Sequence, residues 1–238
     1  LNPTWDAATR AQTLFLNTVL EELPGAVLVG DSTQPVYSGN LTLNLDHPRR
    51  WFNSSTGYGT LGYGLPAAIG AKLAEPSRPV ISLMGDGGIQ FTLPELASAV
   101  EAGVGIIVLL WNNAGYGEIK RYMQRRDIEP IGVDIYTPDL LAIARAFGCA
   151  AERARDHGHL AELLRNAPSD RPLIIEALIH SLAEAENILG FLLRFGTQKN
   201  LTLHHSGNFR IRKAQPSFWH IHKADKPIHS FTRRFTRP

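Results

Sequence analysis

The sequence predicts an α/β domain built on a doubly wound parallel sheet with helices on both faces. Two short apolar runs, Pro79-Val-Ile-Ser-Leu-Met84 and Gly105-Ile-Ile-Val-Leu-Leu-Trp111, read as strands buried on both sides. Between them, Leu93 to Gly103 has helical spacing and ends in glycine. Each run opens into a polar, glycine-rich segment, Gly85-Asp86-Gly87-Gly88 after the first and Asn112-Asn113-Ala114-Gly115-Tyr116 after the second. A strand–helix–strand unit places its strands parallel, so both segments emerge at the same carboxyl edge of the sheet. Open α/β sheets bind ligands at that edge.

The two loops offer a particular set of groups. Asp86 supplies a carboxylate and Asn113 a side-chain carbonyl, and Gly115 leaves its backbone carbonyl approachable. Hard oxygens of this kind suit Mg²⁺, which takes a few ligands from protein and the rest from phosphate and water. Gly85, Gly87 and Gly88 let the backbone approach a diphosphate, with the N–H groups of Gly87 and Gly88 turned toward its oxygens. Gly-Asp-Gly alone is equally a tight turn, and it is the second loop after the next strand that favours a ligand.

The remaining elements follow in order. Ala7 to Leu23 places Leu14, Phe15, Val19 and Leu20 on one helical face and stops at Pro24-Gly25. Ala26 to Gly30 is a short buried strand that delivers the polar loop Asp31 to Pro35. Residues 36–55 are expected to be a long loop anchored by Trp51 and Phe52. Glycines 57, 59, 62 and 64 lead into a helix near Leu65-Pro66, where proline is tolerated in the first turn. The crossover helix turns Leu93, Leu96 and Val100 toward the sheet. Tyr116 to Gln124 starts another helix, and residues 127–136 form a loop. Pro138 to Phe147 is a helix, Cys149 to Arg153 a short edge strand, Asp156 to Asn166 a helix, and Pro172 to Ile179 the last clear strand. Cys149 is expected in the core, His157 and His159 at the surface.

The chain has 238 residues and a net charge of +2, which hides an asymmetry. Residues 1–193 carry 14 Lys/Arg against 21 Asp/Glu, whereas residues 194–238 carry 10 against Asp225 alone, with five of the nine histidines. The expected division is a ligand-binding domain at 1–180 and an irregular basic tail at 181–238, extended or disordered, in which Ala183 to Phe195 has helical potential. His220 and His222 lack a third ligand for a metal, and nucleic-acid binding by the tail is not expected. A single cysteine excludes a disulfide within the chain. No apolar run is long enough to span a membrane, and the start lacks both a methionine and a signal-peptide pattern. The expectation is a cytoplasmic chain with a cut or truncated start.

Gly85-Asp86-Gly87, then 24 residues, then Asn112-Asn113 resembles the signature of thiamine-diphosphate enzymes in the acetolactate synthase, benzoylformate decarboxylase and pyruvate decarboxylase family. The stretch Thr56 to Gly70 is also similar to that family, and the resemblance covers roughly residues 5–180. Gly30 to Tyr37 and Trp111 to Lys120 look most like the decarboxylase acting on 5-guanidino-2-oxopentanoate.

The resemblance implies a thiamine-diphosphate-binding fold with Mg²⁺ on Asp86, Asn113 and Gly115. It implies cofactor contacts from Ser32, Thr33, Gln34, Gly59, Thr60, Leu61 and Tyr116. The Gly59 carbonyl would accept from the aminopyrimidine, and Leu61 would bend the cofactor, although a leucine there is equally a core residue. Glu118 and Ile119 fall where the family shapes its substrate pocket. A carboxylate at 118 matches a guanidinium, and it would equally pair with Arg121 on its own helix. The implied activity is decarboxylation of a small 2-oxo acid, or its synthase counterpart. The glutamate that activates the pyrimidine lies in a separate domain of the family, and no segment here corresponds to it. No catalytic residue is therefore assigned in this chain. The implied partner is a pyrimidine-binding domain, within a homo-oligomer when intact; the alternative is a truncated, inactive cofactor-binding fragment.

Overall fold

Every strand in the sheet runs parallel to its neighbours. A computed structural model describes residues 4–178; the tail at 181–238 and its expected helix lie outside the described residues. The strands are β1 (Val27–Gly30), β2 (Trp51–Asn53), β3 (Val80–Gly85), β4 (Ile107–Asn112), β5 (Ala150–Ala154) and β6 (Leu173–Leu178). Their spatial order is β2-β1-β3-β4-β6-β5, all pairs parallel. The central strands are apolar on both sides because both faces are covered. Helices α3 (Gly64–Ala74), α5 (Glu95–Glu101) and α7 (Leu140–Ala146) cover one face through Leu65, Leu96 and Leu140. Helices α1 (Ala7–Glu22), α2 (Gln34–Thr42) and α8 (His157–Arg165) cover the other through Phe15, Val36 and Leu160. Two further helices, α4 (Asp86–Ile89) and α6 (Gly117–Gln124), open at the carboxyl edge. Among the described residues no helix is long and apolar enough to cross a membrane.

Local chemistry explains most boundaries. Asp6 caps α1 by accepting the Thr9 N–H at 2.7 Å, and Asp139 and Asp156 cap α7 and α8 in the same way. Phe15 and Leu16 then lie fully inside, and the Phe15 ring meets Trp111 edge-on with centroids 5.3 Å apart.

The expected loop at 36–55 is not one. It contains α2 and β2. Pro35 sits in the first turn of α2, where its missing N–H costs nothing. That helix shows no apolar stripe. Its middle glycine, Gly39, is needed because a Cβ there would come within 2.8 Å of the Trp51 ring. β2 is only three residues long, too short to show a period, and is held by pairing Leu28 to Trp51 and Gly30 to Asn53.

Cys149 packs in the core, where burial pushes its thiol up to about 11. His157 differs from expectation. It is half-buried where α8 packs on α1, with Nδ1 3.4 Å from Thr18 Oγ1 and Nε2 buried without a partner. Burial holds its pKa below the usual histidine value. A depressed histidine pKa favours the fold above the unfolded value of about 6.5, and this contribution is lost as pH falls through the folded value. The midpoint of thermal unfolding should therefore drop between pH 7 and 5, and His157→Gln should flatten that dependence.

Candidate functional site

β1 pairs with β2 on one side and β3 on the other, so the chain reverses direction across the sheet between β1 and β3. A crevice is expected at such a point. A cavity of about 210 Å³ lies there, closed by the loops that follow β1, β3 and β4. All of the candidate residues except Thr60 line it, and Tyr37 and Gly117 join them. The first turns of α2, α4 and α6 all open onto it through Gln34, Asp86 to Gly88, and Gly117 to Glu118. First-turn N–H groups have no partner within their helix and carry partial positive charge, so three converging helix starts suit an anion.

Asp86 is 1% exposed. Its Oδ1 accepts the Asn113 N–H at 3.1 Å, and its Oδ2 accepts the Gly115 N–H at 2.9 Å and the Thr137 hydroxyl at 3.0 Å. The carboxylate is thereby locked to the second loop. Asn113 Oδ1 stands 3.1 Å from Asp86 Oδ1 and 2.6 Å from the Gly115 carbonyl oxygen. An oxygen this close to two others repels them unless something positive lies between. Turning the amide over would let its NH₂ donate to both partners. With a cation present, the orientation seen is the favoured one, because ligand oxygens about 2.1 Å from an octahedral Mg²⁺ sit about 3 Å apart. The donor set therefore fits a hard divalent cation. Among the described residues there is no group of three or more His, Cys, Asp or Glu that would hold a metal differently. The turn itself needs glycine at 115, where φ is +152° and a Cβ would meet the Val133 carbonyl at 2.5 Å.

The β1 loop is tied down by Asp31, which the sequence reading did not single out. Asp31 is fully buried; its Oδ1 accepts the Ser32 N–H and its Oδ2 the Gly62 N–H, each at 2.8 Å. Burial raises its pKa, opposed by these hydrogen bonds. It also abuts α4, since a Cβ on Gly88 would come 2.6 Å from its Oδ2. One carboxylate thus joins the loop bearing Ser32, the loop bearing Leu61 and the loop bearing Gly88. Gln34 is held from β4, its Oε1 accepting from Trp111 Nε1 at 3.3 Å.

Thr60 stands apart from expectation. It is exposed and does not line the cavity, whereas its neighbours Gly59 and Leu61 do. Gly59 has φ +68°, and that turn sends the next residue outward. Tyr37 lines the cavity beside Ser32 and Glu118, and burial raises its phenol pKa. Neither Thr137 nor Tyr37 was marked by spacing: each enters through a contact made in the folded chain.

Glu118 and Ile119 stand at the lip. Ile119 is half exposed, and Glu118 Oε2 lies 3.5 Å from Arg121 Nη1 in a solvent-facing pair of little energetic weight. Beyond them is an adjoining cavity of about 360 Å³ that shares Gln34, Tyr37 and Glu118 and adds Asp6, Gln12 and Arg121.

Residues 31–177 match the family described as thiamine pyrophosphate enzyme, C-terminal TPP binding domain. The chain belongs to this family. As a TPP-binding domain it is 43% identical over 171 residues to a Pseudomonas aeruginosa protein named "Probable 2-ketoarginine decarboxylase AruI", covering 71% of this chain and 30% of that protein. It is 38% identical over 141 residues to the acetolactate synthase large subunit of Lactococcus lactis, covering 57% and 24%. Benzoylformate decarboxylase of Pseudomonas aeruginosa is 33% identical over 153 residues, covering 63% and 29%. Among solved structures, the thiamine diphosphate-dependent 4-hydroxybenzoylformate decarboxylase of Rhodococcus jostii RHA1 superposes with a TM-score of 0.63 at 28% identity, covering 70% of this chain and 32% of that one. The chain spans about a third or less of the length of these relatives.

Proposed function

We propose that this domain binds thiamine diphosphate together with Mg²⁺, as the diphosphate-binding part of a 2-oxo acid decarboxylase or acetolactate synthase-like enzyme. The observation carrying the reading is the approach of the Asn113 side-chain oxygen to Asp86 Oδ1 at 3.1 Å and to the Gly115 carbonyl oxygen at 2.6 Å. Those oxygens would hold the cation. The first-turn amides of α4 and the Ser32 to Gln34 loop would hold the diphosphate, and Leu61 would support the ring system. When bound, the cofactor supplies an electron sink for the carbon that loses CO₂. The chain's own residues hold and orient it.

The activating glutamate of the pyrimidine domain has no counterpart assigned among the described residues, so activity calls for that domain, supplied by another chain or by a further part of the enzyme. A second reading, cofactor binding without turnover, is supported by the lack of an assigned activating glutamate among the described residues. Calorimetric titration with thiamine diphosphate should show binding that needs Mg²⁺, and no heat with Mg²⁺ present would count against the site. Decarboxylation that appears on adding a pyrimidine-domain chain would choose the enzyme over cofactor binding without turnover.

For the substrate we propose 5-guanidino-2-oxopentanoate, with Glu118 receiving the guanidinium. Supporting this are the likeness to a protein named for 2-ketoarginine and the acidic pair Asp6 and Glu118 around the adjoining cavity. In the complemented enzyme, Glu118→Gln should lower kcat/KM for the guanidino acid about 10-fold, the cost of about 1.4 kcal/mol of a charge-assisted bond, and leave pyruvate unchanged. An unaltered preference between the two acids would rule the role out.

A further inference from the structure

We infer that Glu176 is a positioning residue for the Asn113–Gly115 loop and acts through Asn112; the inference rests on reading that loop as the cation site. Glu176 lies in the middle of β6, among Leu173, Ile174, Ile175 and Ala177, and is 4% exposed. An ionised carboxylate in such a strand is retained only where its oxygens are fully engaged. Here Oε2 accepts from Arg153 Nε on β5 at 2.7 Å, and Oε1 accepts from Asn112 Nδ2 on β4 at 2.6 Å. Side chains alternate along a strand. The register sets Glu176 opposite both Leu110 and Arg153, so Asn112, Glu176 and Arg153 project from one face across three strands.

The chemistry of the pair fixes a direction. A carboxylate only accepts, so Asn112 must present its NH₂ to Glu176. Its oxygen must then face the loop, where it accepts the Ala114 N–H at 3.0 Å. Ala114 has φ +57°, a conformation alanine rarely adopts without support. This turn sets the course of the chain between Asn113 and Gly115, the two residues that join Asp86 in the oxygen cluster. Glu176 therefore orients the amide, the amide holds the turn, and the turn aims two of the three oxygens. Glu176 does not line the cavity.

The test uses the full chain. Glu176→Gln keeps the shape but has a single acceptor oxygen for two donors, and it changes no residue of the loop. Asn112→Ala removes the intermediary, and Leu164→Ala on α8 serves as a control that weakens the opposite face of the sheet. Two readouts are taken: amide hydrogen exchange at Ala114 and Gly115 without metal or cofactor, and Mn²⁺ affinity by electron paramagnetic resonance with thiamine diphosphate present. Glu176→Gln and Asn112→Ala should each weaken Mn²⁺ about 10–100-fold, the range for loss of an outer-shell partner. Glu176→Gln should also speed exchange at Ala114, the double variant should be no worse than Asn112→Ala, and Leu164→Ala should lower only the melting temperature. Unchanged exchange at Ala114 and Gly115 in Glu176→Gln overturns the relay. If that variant does not fold, unchanged Mn²⁺ affinity in Asn112→Ala overturns it instead. A wild-type chain that binds no Mn²⁺ defeats the cation-site reading, and the exchange measurement still decides the relay.

Discussion

Asp86→Ala should abolish Mg²⁺-dependent binding of thiamine diphosphate, weakening it beyond the about 10–100-fold that loss of an outer-shell partner costs a metal site. Two losses add. The cation loses its one charged oxygen, leaving Asn113 and Gly115 to supply neutral ones. The Asn113 N–H, the Gly115 N–H and the Thr137 hydroxyl also lose their acceptor, at about 1–3 kcal/mol for the buried Gly115 N–H and less for the two part-buried donors. The second loop then loses the hydrogen bonds that tie it to Asp86. Asp86→Asn preserves the shape but loses the charge and sets an NH₂ against at least one of those donors, so it should also weaken Mg²⁺-dependent binding. Titration calorimetry beside a circular-dichroism spectrum checks this: native secondary structure with no cofactor heat is the expected pair, and retained Mg²⁺-dependent binding in the alanine variant would refute it.

Phe15→Ala should lower the stability of the fold by about 3–5 kcal/mol, the usual range for emptying a buried aromatic site. Phe15 is 1% exposed and packs against Leu28, Leu109 and their neighbours on the α1 side of the sheet. It also braces Trp111 edge-on, and Trp111 in turn holds Gln34 at the cavity wall. The loss should appear as a lower urea midpoint with the slope unchanged, since the same surface is exposed on unfolding. A shift of under about 1 kcal/mol would mean that the site collapses around the deleted ring.

How much of this was legible depended on whether a residue's role is local. β3 and β4 stood out because a strand buried on both faces must be apolar throughout, and the loops after them because a carboxylate and an amide recurred at successive strand ends. The helix α2 was hidden by Pro35, which reads as loop until it is recognised as a first-turn residue. β2 was hidden by its length, since three residues cannot show a period. Thr137 meets Asp86 across 51 positions of sequence, in a stretch with no regular pattern. Asp31 and Glu176 were passed over for the opposite reason. Each stands beside an obvious strand or within one, and only the folded sheet reveals which distant N–H groups their oxygens receive. His157 read as surface because its burial is supplied by α1, far earlier in the chain.

The strand order also bears on how the protein is made. β5 leaves the ribosome before β6, yet among the described strands its only partner in the sheet is β6, which lies between it and β4. The last two strands therefore cannot join in the order of their synthesis, and β5 must wait, unpaired, for a segment at the end of the domain. Pairings between strands distant in sequence form late because their loops must first close. Arg153 and Glu176 meet only when β6 docks, and Asn112 gains its anchor at the same moment. A nascent chain halted before residue 173 would display the whole Gly-Asp-Gly to Asn-Asn stretch while lacking the strand that steadies its second half.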